Sequence, residues 1–309
     1  MTASPLRLAG YVDLPEHKGK GAFDHAAVHV ASGHVYVAHT ANDAIDVFDP
    51  VARKFLYSIP DLPGVAGALV SDEGQLIISA NRGADTIGVF APGPNPAVRR
   101  IGVGRRPNGL AYDHRRRLLL VANIGDPAMP GSHTVSIVGL GPDAPRHEIA
   151  VAGSTRWTIF DAGAELFYVN ICESAEIVVI DPRQPDQIAR TFAIPQAGPH
   201  GLDFDAATNR LFCACDSGVL VTLDAGSGKV LSEEKLSGRP DVVFFNRQRQ
   251  HLYVAIGNPG VLDVFATATM TKLATVETEA GAHTTALSPD GRQLYVFQPR
   301  SHRAAIYET

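Results

Sequence analysis

Three histidines and one aspartate stand at matched places in this chain. His25, His200, Asp241 and His283 each head a short apolar run, and the same place holds Ala66, Asn108 and Arg156, with gaps of 41, 42, 48, 44, 41 and 42 residues along the series. Three imidazoles and a carboxylate could hold a borderline divalent ion, Zn, Fe, Mn, Cu or Ni, with one coordination position left open. Such an ion polarises a carbonyl or brings the pKa of bound water towards ~7. His25, His200, His283 and Asp241 are therefore the expected metal ligands, and His25, His200, His283 and Arg156 the expected catalytic set. A guanidinium such as that of Arg156 takes a carboxylate or phosphate bidentately. Trp157, Asn81, Asn108, Asn123 and Asn170 are the further candidate substrate contacts. Each has a plainer alternative. The histidines would bond to water, Arg156 would pair with Glu173 or Asp241, and the asparagines would cap their own turns.

What brings these residues together is a repeat. The stretch Gly281–Val296, GAHTTALSPDGRQLYV, contains a polar residue after a turn, an apolar strand, an Asp/Gly turn and a second strand, and seven variants of it fill the chain. The first full unit reads as strands Ala26–Val30, His34–Ala38, Ala44–Phe48 and Phe55–Ile59, a four-stranded meander. The 48-residue gap is an insertion, Asp126–Ser132, expected between the second and third strands of the third unit. The seventh unit stops after three strands at Ala305–Tyr307, and a strand near Arg7–Val12 would complete it, hiding two sheet edges. The predicted fold is all-β, a seven-bladed β-propeller of four-stranded antiparallel blades spanning 1–309 as one domain, closed by its N-terminal strand.

In such a blade the start of the first strand and the end of the second share an edge. The seven heads would therefore ring one mouth of the central channel, with His39, Asn81, Asn123, Asn170, Asp216, Asn258 and Gln298 as a second ring. The first hairpin is one residue shorter than the rest, which leaves two registers open for His25, with opposite side-chain directions.

The strand endings Tyr36-Val37-Ala38-His39, Val121-Ala122-Asn123 and Tyr168-Val169-Asn170, followed by Ala44-Ile45-Asp46-Val47-Phe48-Asp49 or Glu176-Ile177-Val178-Val179-Ile180-Asp181, resemble the YVTN repeat of seven-bladed propellers. The resemblance covers essentially the whole chain. It implies architecture, because relatives of this type include lactonase-like and lyase-like enzymes as well as proteins of no known activity. The histidines at the unit heads lie outside the consensus repeat. The Gly-His and Trp-Asp pairs of WD40 blades are missing, Trp157 being the single tryptophan.

Composition narrows the function classes. With 309 residues, 45% hydrophobic, the chain has ample material for a core. A net charge of -5 gives no reason to expect nucleic acid, and the runs Arg99–Arg106 and His114–Arg117 read as solvated turns. No run of 18 apolar residues is present and the start lacks the features of a secretory signal, so a cytoplasmic protein without a membrane partner is expected. Cys172, Cys213 and Cys215 read as thiols of a reducing compartment. No nucleophile elbow, P-loop or H-E-x-x-H motif appears. The expected function is metal-dependent lactone or ester hydrolysis, or lyase-type elimination, on a small anionic or carbonyl-bearing molecule. The alternative is a non-catalytic propeller scaffold binding a protein or a small ligand.

Overall fold

Alternating apolar residues and Asp/Gly turns leave each short strand one course, to pair with its sequence neighbour and bury both faces against the next sheet. The computed structural model, which describes residues 4–141 and 144–309, shows the outcome: seven four-stranded antiparallel sheets arranged as a seven-bladed β-propeller. Blade 1 consists of Phe23–Val28, Val35–His39, Ala44–Asp49 and Lys54–Ile59. The inner strands of blades 2 to 7 are Val65–Ser71, Pro107–Asp113, Thr155–Asp161, Pro199–Asp205, Val243–Asn246 and Thr285–Leu287. Among the described residues the helical content is one 3-10 turn, Thr40–Asn42, and no helix is long and apolar enough to cross a membrane.

Ring closure follows the expectation. Arg7–Asp13 pairs antiparallel with Arg303–Glu308, so blade 7 takes three strands from the end of the chain and its outermost from the beginning. The core lies between blades rather than within them: Tyr36, Ile45 and Val47 of blade 1 pack on Val65, Ile77 and Phe90 of blade 2, and comparable clusters fill the other interfaces. Burying each such side chain is worth about 1.5–3 kcal/mol. The excursion Asp126–Ser132 lies between the strands Leu118–Asn123 and Thr134–Gly139 of blade 3, as the gap predicts.

Candidate functional site at the channel mouth

A shared irregularity points the ring residues inward. In blades 1 to 5 the inner strand gains one residue on its neighbour near its start, for example between the pairs Phe23↔His39 and Ala26↔Val37, or Pro107↔Asn123 and Leu110↔Val121. A β-bulge of this kind re-aims the side chains at its site. Beyond it, Ala26, Ala68, Leu110, Thr158, Leu202, Val243 and Thr285 occupy equivalent pairings, opposite Val37, Ser79, Val121, Val169, Cys213, Val254 and Val296. Two residues before each stand Asp24, Ala66, Asn108, Arg156, His200, Asp241 and His283. The register of the first hairpin is thereby fixed. Asp24, not His25, holds the blade 1 ring place, and His25 falls where blades 2, 3 and 5 have Gly67, Gly109 and Gly201 and blade 4 has Trp157.

Those glycines have a reason. A Cβ on Gly67, Gly109 or Gly201 would run into the carbonyl oxygen of Asn108, Arg156 or Asp241 on the following blade. In blades 2, 3 and 5 the following strand approaches too closely for a side chain, while blades 1, 4, 6 and 7 carry His25, Trp157, Val242 and Thr284 there. The His25 and Trp157 rings, 4.3 Å apart between centroids, meet across the channel. They line both a cavity of about 470 Å³ at the mouth and a smaller one of about 180 Å³ walled by Ala27, Ala68, Leu69, Leu110 and Phe244. The two rings are thus a partition across the axis.

Above the partition the mouth is polar. His200 Nδ1 donates to Asp216 Oδ1 at 2.8 Å, and Arg239 donates to the other oxygen at 2.6 Å. His200 Nε2 faces Asp241 at 3.4 Å, and His283 Nε2 stands 3.9 Å from the same carboxylate. Burial by itself lowers an imidazole, but at His200 the Asp241 charge and the Asp216 hydrogen bond outweigh it and hold the group above its ordinary value. Burial likewise works to raise Asp216, yet the bonds from His200 and Arg239 bring it down to about 2. His25 goes the other way. It is 8% exposed, and desolvation depresses it although Asp24 and Asp241 act to raise it.

The facing sector belongs to arginines. Arg82 reaches over the small Ala66, donating to Asp24 at 3.2 Å and to Asn108 Oδ1. Arg106 Nη1 donates to Gly125 O at 3.4 Å, and Arg156 Nη1 to Thr155 O at 3.5 Å, while Arg156 Nε is buried without a partner. Glu173, with Asp241 the alternative partner expected for Arg156, accepts the Ser154 amide and hydroxyl.

Of the predicted site residues, His25, Asn108, Arg156, Trp157, His200, Asp241 and His283 line this cavity. Asn81, Asn123 and Asn170 do not. Asn81 and Asn123 are fully buried and fasten Thr86, and Thr134 with Ser136, across their hairpins. Asn170 donates to the carbonyls of His200 and Gly201, at 2.9 and 3.2 Å, which fixes the backbone that presents His200. In the second ring His39 and Asp216 also serve as outer partners, His39 to Asp46 and His17, Asp216 to His200. Asp24, Arg82, Arg106 and Glu173 are additions that strand periodicity does not single out.

The four predicted metal ligands share one wall, yet among the described residues no group of three or more His, Cys, Asp or Glu is arranged to hold a metal ion. His200 and His283 turn to Asp241, whereas His25 Nε2 lies 3.6 Å from Asp24. The donors do not close round one point.

No protein-family model matches the chain, and no curated protein matches it. The YVTN likeness thus describes the repeats and assigns no family. Solved structures match widely, in 1786 chains, which marks a fold shared too broadly to fix chemistry. One of them, a chain in a crystal structure of the mitotic checkpoint complex, superposes with a TM-score of 0.83 over 100% of this chain and 94% of that one, at 11% identity. At that identity the likeness is one of fold.

Proposed function

We propose that this propeller is a binding module whose channel mouth holds a small anion, a carboxylate or a phosphate, on Arg106 and Arg156. The observation that supports it is the state of these two side chains. Both line a cavity of about 470 Å³, and among the described residues neither guanidinium is within ion-pair distance of a carboxylate. A half-buried cation is costly unless it gains charge-assisted hydrogen bonds, and an incoming anion supplies them. Titration with acetate and with phosphate, read by calorimetry and by melting temperature, tests this. Binding is expected, weakened about tenfold to a hundredfold in Arg156→Met, the worth of one hydrogen bond to a charged group. A native chain indifferent to both anions, or a variant that binds as well, would sink the reading.

A second occupant has support from the structural neighbour, which comes from a multiprotein complex. A protein partner presenting an acidic side chain at the mouth would use the same two arginines, and free acetate would then compete with it. A metal-dependent hydrolase or lyase has less support, because His25 Nε2 is near Asp24 while His200 and His283 are near Asp241. The chemistry left to His200, Asp241 and His283 is hydrogen bonding to the far end of the ligand.

A further inference from the structure

The cavity wall is divided by blade. Asp24, His200, Asp241 and His283, from blades 1, 5, 6 and 7, give it only hydrogen-bonding groups. The apolar side chains that line it, Ile124, Pro127 and Trp157, all come from blades 3 and 4, beside the two anion-binding arginines. The adjacency is built in. Ile124 N–H donates to Arg106 O at 3.0 Å, Arg106 Nη1 returns to Gly125 O, and Trp157 follows Arg156 in the chain. Pro127 lies on the excursion Asp126–Ser132, which makes the third unit longer than the others. That excursion is closed on itself, with Asp126 N–H donating to Ser132 Oγ at 2.8 Å and Ala128 N–H to Asp126 Oδ1 at 2.9 Å. It therefore holds Pro127 in place before any ligand arrives.

Resting on the anion-binding reading, we infer that the ligand is a small carboxylate carrying an apolar group, an aryl ring or branched alkyl chain, on the carbon next to the carboxylate or one further. With the carboxylate on Arg106 and Arg156, a substituent of that length falls between Trp157 and the Ile124–Pro127 edge. A bare anion leaves that surface wet. An inorganic phosphate satisfies the arginines and gains nothing from it, so the apolar sector discriminates between ligands that the arginines treat alike.

The test compares phenylacetate with acetate by calorimetry, on the native chain and on an Ile124→Ala, Pro127→Gly double variant. Pro127 is exposed and Ile124 half-buried, so the fold tolerates both changes. Phenylacetate is expected to bind the native chain at least about tenfold tighter than acetate, the return on burying a side-chain-sized apolar group. In the double variant that ratio falls by at least about threefold through the same lost burial, while acetate affinity stays as in the native chain. Equal affinities for the two acids in the native chain overturn the inference and leave the anion site standing, as does a ratio unchanged in the variant. Failure to bind either acid removes the anion site and this inference together.

Discussion

His17 sits among other imidazoles. Its Nδ1 meets His39 Nε2 at 2.6 Å, its ring lies 4.4 Å from that of His302 between centroids, and His39 Nδ1 donates to the buried Asp46 at 2.7 Å. Burial, then the neighbouring His39 and His302, lower His17 below 6.5, against smaller upward effects of the Pro299 carbonyl and Asp46. The unfolded chain therefore takes up this proton first as pH falls. The contribution of His17 to stability is complete above about 6.5 and shrinks as pH drops from there towards its folded value. In His17→Asn the urea midpoint should lose less between pH 7.5 and pH 5.5 than in the native chain; equal losses would refute the assignment. Nothing in the sequence around His17 marks this cluster, because its partners come from the second strand of blade 1 and the last hairpin, far apart along the chain. His29, by contrast, is 4% exposed and has its partner close in sequence, with Ser32 Oγ 2.8 Å from its Nδ1.

At the scale of the strand, the repeat period was visible because every hairpin carries its own turn signal, and the ring places of six blades follow from counting residues. Blade 1 failed that count by one. Hydrophobic alternation records which residues face a core, whereas the number of residues opposite one another across a bulge leaves no mark in it. Arg82 and Arg106 escaped for a related reason, since they sit in turns, where strand periodicity says nothing. One clue was available: Ala66 is the smallest residue of the ring series, and Arg82 bonds to Asp24 and Asn108, the ring residues of the blades on either side of it. Of the asparagines read as ligand contacts Asn108 lines the cavity, whereas Asn81 and Asn123 bond within their own hairpins and Asn170 to the next blade, uses that an Asn at a strand end serves equally well. The close approach of inner strands gives a sharp prediction here. Gly201→Ala should lower the unfolding free energy by at least about 1–3 kcal/mol, the cost of forcing a methyl into a filled site, measured by urea unfolding. An unchanged midpoint would show that blades 5 and 6 can separate there at no cost.

For the whole molecule, seven sheets in a ring follow from seven repeats, and the shortfall of the last repeat correctly marks where the ring is sewn shut. Arg7 and Glu308 face each other as an ion pair across that seam, and Val12, fully buried although it lies on the outermost strand of the sheet, packs into the joint between blades 7 and 1. A ring has no intrinsic first blade. The gene could therefore be rewritten with residues 4 and 309 bridged by a short peptide and new ends opened in the excursion at 126–132, placing the covalent break within blade 3. This circular permutant should keep the native melting temperature to within a few degrees while its cavity loses the wall that Pro127 provides. If the permutant refolds only in part, the blades are interdependent in an order set by synthesis as well as in space.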